Sequence, residues 1–360
     1  MIVKTITCHD VYNMGASLQA YALATYLQSL GHQTQIIDYK PDYLSRRYSL
    51  TTVGNPRYDK PVLRQAYLLA KLPGRVRERM GRRKQRFDAF RRDYLPLTRR
   101  YESYEELVQD PPQADVLFAG SDQIWNTQFR NGKDPAFYLA FATQHTVKAS
   151  YAASFSMDSV DAAWAEQQSA WIGSLDYVSV RERTGLALLD QLGIEKGRVV
   201  VDPVFLLDAD TWRTIAKPIQ KKKPYILVYD FDKNQAIEKE AKALAEKKNC
   251  KIYSVLDATY ADRCLSDAGP LEFLSYLDGA EAVLSNSFHA TAFSLIFHRP
   301  FITFDRQEKL NSRMHDLLAC VGLESHKDTW DIDWTTVQQR LDEEVAGSKS
   351  FIDEVLHGAE

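Results

Sequence analysis

Residues 282–297 read AVLSNSFHATAFSLIF. A short apolar run stops at small polar residues and then continues with helical spacing, which predicts a strand over 282–285 and a helix that begins at His289. The unpaired backbone N–H groups at a helix start favour anions, and an imidazole can move a proton near neutral pH. This segment therefore predicts a site for a phosphorylated small molecule.

Strand and helix patterns alternate along the rest of the chain. It opens with a predicted strand at Ile2–Thr7, a helix at Ala16–Leu30 and a strand at Gln35–Asp38. Further short strands are predicted at 116–119, 149–153, 177–180, 225–229, 251–254 and 301–303, with helices at 183–192, 234–248 and 270–277. This alternation predicts parallel sheets covered by helices on both faces, in two doubly wound units that meet near residues 205–223.

Composition excludes several classes of protein. The chain has 360 residues and a formal net charge of −3, which argues against a protein that coats nucleic acid. Its four cysteines are scattered, so neither a zinc site nor a disulfide framework is expected. There is no leader pattern and no apolar run of the ~18 residues that a membrane span needs. We expect a cytoplasmic protein, either free or peripheral at the inner face of the cell membrane.

Four sequence motifs occur together in one order. They are NMGASLQAY at 13–21, AGSDQIWN at 119–126, VSVRE at 178–182 followed by DPVFLL at 202–207, and SNSFHATAFS at 285–294. This pattern, over roughly residues 1–325, resembles the polysaccharide pyruvyl transferase family. One departure is Ala290, where the family usually has glycine after the histidine.

The resemblance implies an α/β fold of two Rossmann-like doubly wound domains that face a cleft, in a GT-B-like arrangement. We assign residues 1–205 to an N-terminal domain on the acceptor side and residues 206–345 to a C-terminal domain on the donor side, with a tail or helix at 346–360. In such sheets ligands lie beyond the carboxyl ends of the strands. His289, Arg181, Gly120 and Asn13 all follow a predicted strand end.

The resemblance also implies a reaction. The enolpyruvyl group of phosphoenolpyruvate would be transferred to two hydroxyls of a sugar, forming a pyruvate ketal in a capsular polysaccharide, an exopolysaccharide or a lipid-linked precursor. The acceptor would be a sugar, free or linked to undecaprenyl diphosphate, and no metal or redox cofactor is expected. Two alternatives stay open: a GT-B glycosyltransferase that uses a nucleotide sugar, and a non-catalytic glycan-binding scaffold of the same fold.

The candidate donor site centres on His289, which we expect to act as the acid–base catalyst. A helix-capping or core histidine is the structural alternative. Arg181 is expected to hold the carboxylate or phosphate, and a salt bridge to Glu182 or to a neighbouring helix is its alternative. The other donor-binding candidates are Ser287, Phe288, Ala290, Arg299, Lys309 and Arg313.

The candidate acceptor site is expected on the N-terminal side of the cleft. Glycines allow close approach of a sugar, polar side chains bind hydroxyls, and Trp125 is expected to stack on a sugar ring unless it anchors the turn instead. The acceptor candidates are Asn13, Gly15, Gly120, Ser121, Asp122, Gln123, Trp125 and Asn126.

Residues 71–100 form a strongly basic segment, with twelve lysines and arginines against Glu78, Asp88 and Asp93. We expect this arm to contact anionic lipid headgroups or the diphosphate of a lipid-linked sugar. The alternative is an exposed helix whose Phe87 and Phe90 pack against the body of the protein.

Overall fold

A computed structural model describes residues 1–44, 61–219, 223–307, 311–324 and 332–359. Its first sheet has five parallel strands in the order β3-β2-β1-β4-β5. These strands are β1 (Ile2–Ile6), β2 (Gln33–Tyr39), β3 (Leu97–Tyr101), β4 (Val116–Ala119) and β5 (Val147–Ser150). Isolated bridges continue the sheet beyond β5 to a parallel pair, β6 (Val178–Val180) and β7 (Gly197–Val199).

The second sheet also has five parallel strands, in the order β10-β9-β8-β11-β12. They are β8 (Tyr225–Tyr229), β9 (Lys251–Ser254), β10 (Arg263–Cys264), β11 (Ala282–Ser285) and β12 (Phe301–Thr303). Strands β8 and β11 lie in the middle and are completely buried, as expected for strands with helices on both faces.

Helices connect the strands of both sheets. In chain order they are α1 (Met14–Ser29), α2 (Pro61–Arg79), α3 (Arg82–Tyr94), α4 (Tyr104–Gln109), α5 (Ala165–Gly173), α6 (Arg183–Gln191), α7 (Ala209–Ile215), α8 (Gln235–Lys248), α9 (Pro270–Asp278), α10 (Phe288–Ile296), α11 (Ser312–Cys320) and α12 (Trp334–His357). None of these described helices combines the length and the apolar character that crossing a bilayer requires.

Helix α12 follows the second sheet but binds the first unit. The Val201 N–H donates to Ser348 Oγ at 2.9 Å, and Arg198 pairs with Glu354 at 2.6 Å. This helix runs without a break across residues 345 and 346, where the sequence analysis places the boundary between the C-terminal domain and the tail. The domain ranges given above remain predictions.

Helix α3 and strand β3 hold the second half of the basic segment against the body. Phe87 and Phe90 are buried, and Arg86 pairs with Glu272 of α9 at 3.1 Å. Arg91 and Arg100 both pair with the buried carboxylate of Asp38, at 3.4 and 3.1 Å. These cations are therefore engaged within the protein, and the packed-helix alternative describes α3 better than a lipid-binding arm does.

Candidate active site

A cleft of about 460 Å³ lies between the carboxyl ends of the two sheets. Helices α1 and α10 start there, each after its own central strand. The side chain of Asn13 caps α1 by accepting from Ala16 N, and Ser287 caps α10 by accepting from Ala290 N. The cleft is lined by Cys8, Val11, Asn13, Leu44, Asp122, Gln123, Phe129, Asn131, Phe231, Asn286, Ser287, Phe288, His289, Arg306, Asn311, Arg313 and Met314.

His289 lies at the contact between the two units. The residue as a whole is 9% exposed, and its imidazole sits directly against Gly15 of α1, so that a Cβ at residue 15 would overlap the ring. Nε2 lies 3.6 Å from Asp202 Oδ2 and has no hydrogen-bond partner. The predicted proton-transfer residue is thus in the cleft wall, next to a carboxylate and with one ring nitrogen unused.

Arg181 follows β6 and is buried beneath the cleft. Its guanidinium donates to Asp202 at 2.6 Å, lies 3.5 Å from Asp122, and stands 4.8 Å from the ring centre of Phe288. The salt-bridge alternative is therefore realised: the shortest pair is with Asp202, and the predicted partner Glu182 is more distant, with Oε2 4.0 Å from Nε. Nε and the terminal nitrogen that faces Asp122 make these ion-pair contacts but have no hydrogen-bond partner.

Asp202 links the two side chains just described, and the sequence analysis gave it no role. Burial alone would raise its pKa, but His289 and Arg181 outweigh that effect and hold the pKa well below its ordinary value. The carboxylate is therefore ionised at neutral pH and orients both neighbours. In the sequence, Asp202 could have been recognised as an acidic residue within an apolar stretch, between Val201 and Pro203.

Arg313 of α11 is the other buried cation. Among the described residues no carboxylate lies within 4 Å of it. Gln123, with its amide oxygen turned toward the guanidinium, accepts from both terminal nitrogens at 2.5 and 3.3 Å. Burial, and next the charge of Arg181, lowers the pKa of Arg313 to about 10. An incoming anion would relieve this uncompensated charge.

The remaining donor candidates lie in different places. Ser287 and Phe288 line the cleft, whereas Ala290 is fully buried in the first turn of α10. Arg299 pairs with Asp278 at 3.1 Å and does not line the cleft. Lys309 lies outside the described residues. Of the predicted cations, Arg181 and Arg313 are thus the ones brought together around Phe288.

Some of the acceptor candidates line the cleft, and others are buried behind the residues that line it. Asn13, Asp122 and Gln123 line the cleft, and Gly15 contacts His289. Trp125 is fully buried, donates from Nε1 to Phe137 O and stacks on Tyr138. The expectation that it stacks on a sugar is therefore wrong, and its alternative role as an anchor of the turn is the one observed.

Three other acceptor candidates lie behind the residues that line the cleft. Asn126 is buried and donates to Ser156 O, and Ser121 is buried and donates from Oγ to Ala152 O. Gly120 has a φ of 132° and lies so close to Tyr151 O that a Cβ there would overlap it. They shape the turn that presents Asp122, and none of them offers a free polar group to the cleft.

Sequence reasoning also missed polar residues of the second unit that line the cleft, among them Asn286 and Arg306. Asn286 accepts from Phe231 N at 3.0 Å and donates to Asp230, which fixes the loop after β8. Arg306 stands over Phe231 at 4.6 Å with Nε lacking a hydrogen-bond partner. Asn286 lies within the motif SNSFHATAFS at 285–294, whereas none of the sequence motifs includes Arg306.

Comparison with known proteins supports both the fold and the family. A glycosyltransferase from Rickettsia africae superposes with a TM-score of 0.50 at 12% identity, covering 99% of this chain and 98% of that one. A UDP-GlcNAc 2-epimerase from Methanocaldococcus jannaschii gives 0.44 at 13% identity, covering 95% and 99%. No curated protein sequence matches the chain. The predicted fold of two Rossmann-like domains in a GT-B-like arrangement is confirmed.

The family comparison covers most of the sequence. Residues 13–308 match the family described as polysaccharide pyruvyl transferase. That range includes the starts of both α1 and α10 and most of the residues that line the cleft. The chain therefore belongs to the polysaccharide pyruvyl transferase family.

Proposed function

We propose that this protein transfers the pyruvyl unit of phosphoenolpyruvate to two hydroxyls of a sugar, as a cyclic ketal, in a surface polysaccharide or its lipid-linked precursor. The observation that supports this most directly is the set of unused donors on His289, Arg181 and Arg313. His289 and Arg313 line the cleft and Arg181 lies beneath it; all three residues are more than nine-tenths buried, and each has a ring or guanidinium nitrogen without a hydrogen-bond partner. Buried polar groups are normally paired, so these fit a ligand that completes them.

The donor matches this charge distribution. Phosphoenolpyruvate carries a carboxylate and a phosphate, and guanidinium groups bind both through parallel hydrogen bonds. Arg313 offers a positive charge without a carboxylate partner, and the N-terminus of α10 adds backbone N–H groups beside it. Both guanidinium groups lie near the ring of Phe288, with their Cζ atoms 4.8 and 5.9 Å from the ring centre.

The proposed chemistry requires two proton movements, which we assign to His289. Protonation of the methylene carbon leaves a cationic carbon that the first sugar oxygen attacks. The bond to phosphate then breaks and the second sugar oxygen bonds to the same carbon. Of the two hydroxyl protons lost, one balances the proton added to the methylene carbon and the other leaves with inorganic phosphate. Imidazole can donate and accept these protons near neutral pH.

The acceptor is proposed to bind on the opposite wall. Asn13 is exposed there, and Asp122 is partly exposed and faces Arg181. Amide and carboxylate groups of this kind bind sugar hydroxyls. This wall lies beside His289 because Gly15, two residues after Asn13, contacts the imidazole.

We expect phosphoenolpyruvate to raise the melting temperature of the purified protein. A ligand that binds only the folded state at 100 times its Kd stabilises that state by about 2.7 kcal/mol. Thermal unfolding would be measured with phosphoenolpyruvate, with inorganic phosphate and with a panel of nucleotide sugars. Stabilisation by a nucleotide sugar alone would contradict the proposal and favour glycosyl transfer. Donor binding without phosphate release on any acceptor would favour a non-catalytic scaffold.

Arg313→Ala should weaken phosphoenolpyruvate binding by about 10- to 100-fold, the scale of a hydrogen bond to a charged group. Its guanidinium has no carboxylate partner within 4 Å in the described structure, so its loss leaves no buried carboxylate unpaired. Arg299→Ala is the matched control, because Arg299 pairs with Asp278 outside the cleft and donor affinity should not change. Affinity would be measured by calorimetry. Equal effects of the two substitutions would exclude a specific role for Arg313.

A further inference from the structure

Helix α2 carries an exposed apolar stripe that the sequence analysis did not identify. Leu69 and Met80 are each 70% exposed, and Leu72 and Val76 are 38% and 37% exposed. Their spacings of three and four residues place them on one side of α2 and its last turn. The described chain has eight exposed large hydrophobic side chains, and four of them lie in these twelve residues. So dense a group indicates a contact surface.

Basic residues accompany this stripe. Residues 61–79 contain Arg64, Lys71, Arg75, Arg77 and Arg79 against the single acidic residue Glu78, whereas the whole chain is net negative. Positions 64, 71 and 79 fall along one flank of the stripe at helical periodicity, and Lys71 and Arg79 are exposed. An exposed apolar stripe with a cationic flank is typical of a helix that lies in the plane of a membrane interface.

We infer that α2 binds the surface of an anionic lipid bilayer, with Leu69, Leu72, Val76 and Met80 in the interface and the basic flank against the headgroups. Arg86 and Arg91 of α3 pair with Glu272 and Asp38, so we place the lipid-binding function predicted for residues 71–100 on α2 and the turn that follows it. Charge selects a lipid surface over a second copy of this chain, because two α2 helices brought together would repel each other.

The position of α2 also connects the membrane to the cleft. Helix α3 follows α2 directly, and its Phe87 ring packs edge-on to Tyr12, next to Asn13 on the acceptor wall. A bilayer under α2 would therefore lie near the acceptor side, which suits a lipid-linked sugar. The link to a lipid-linked sugar rests on the proposed function; membrane binding by α2 does not.

Vesicle flotation tests the inference without any assay of activity. The full-length protein should float with vesicles of phosphatidylcholine and phosphatidylglycerol, and should not float with phosphatidylcholine alone. Leu69→Asp/Leu72→Asp should reduce binding at least ~10-fold, because charge in the interface opposes insertion of the stripe. Lys71→Glu/Arg79→Glu should reduce it similarly and weaken its dependence on salt. These residues are exposed, so the melting temperatures should be unchanged.

Val108→Asp is the matched control. Val108 is also an exposed hydrophobic residue, 51% accessible on α4, and its substitution should leave flotation at the wild-type level. Equal binding to neutral and anionic vesicles would overturn the inference, as would unchanged binding of both double variants. Absence of vesicle binding together with a dimer that dissociates in Leu69→Asp/Leu72→Asp would instead assign the stripe to self-association.

Discussion

His289→Ala should lower turnover by at least ~100-fold while phosphoenolpyruvate still binds. General acid–base groups contribute about 10²- to 10⁴-fold to catalysis, and this imidazole has an unused nitrogen in the cleft wall beside an ionised carboxylate. Donor binding should persist because Arg181 and Arg313 remain. Phosphate release at saturating donor would measure turnover, and the thermal shift with phosphoenolpyruvate would measure binding.

His315→Ala is the control for this experiment. His315 also pairs with a carboxylate, Asp305 at 2.7 Å, but both side chains are exposed and lie outside the cleft lining. Its substitution should leave turnover unchanged. Near-normal turnover of His289→Ala would remove His289 from the mechanism, and a loss of donor binding with unchanged turnover at saturation would make it a binding residue.

Five strands of the two sheets could be predicted from the sequence with their observed ends. Val116–Ala119, Tyr225–Tyr229, Lys251–Ser254, Ala282–Ser285 and Phe301–Thr303 agree with the structure residue for residue. Parallel strands that are buried on both faces require short apolar runs, and such runs end where the chain leaves the core. The same reasoning predicts the position of His289, because its helix starts directly after one of these strands.

Strand β3, at one edge of the first sheet, and long-range partners could not be predicted in this way. Strand β3 has the sequence LTRRY, which has no apolar run, and it is compatible with the sheet because Arg100 is neutralised by Asp38 and Asp10. Trp125 illustrates the same limit, since whether an aromatic residue faces a sugar or the core depends on residues such as Phe137 and Tyr138 that the motif does not specify. The pairing of Arg181 with Asp202 spans 21 residues and an intervening helix.

Gly15→Ala should reduce turnover by about 100-fold, although alanine is the better helix former. Gly15 is the second residue of α1, and its Cα lies against the imidazole of His289 from the other unit. An added methyl group would overlap the ring, so either the imidazole rotates or the two units separate. A misplacement of about 1 Å at a reacting group can cost a factor of 10² in rate. Phosphate release would measure this loss.

Gly173→Ala is the matched control, because Gly173 is also helical and a Cβ there would have open space. The substitution should leave both turnover and melting temperature unchanged or slightly raise the latter. A double-mutant cycle then identifies the cause: the overlap should make Gly15→Ala lower the melting temperature of the wild-type protein, but not that of His289→Ala, in which the ring is gone. A Gly15→Ala protein with wild-type turnover would mean that the contact between α1 and His289 is absent from the catalytic form, and that the cleft reacts in a more open arrangement.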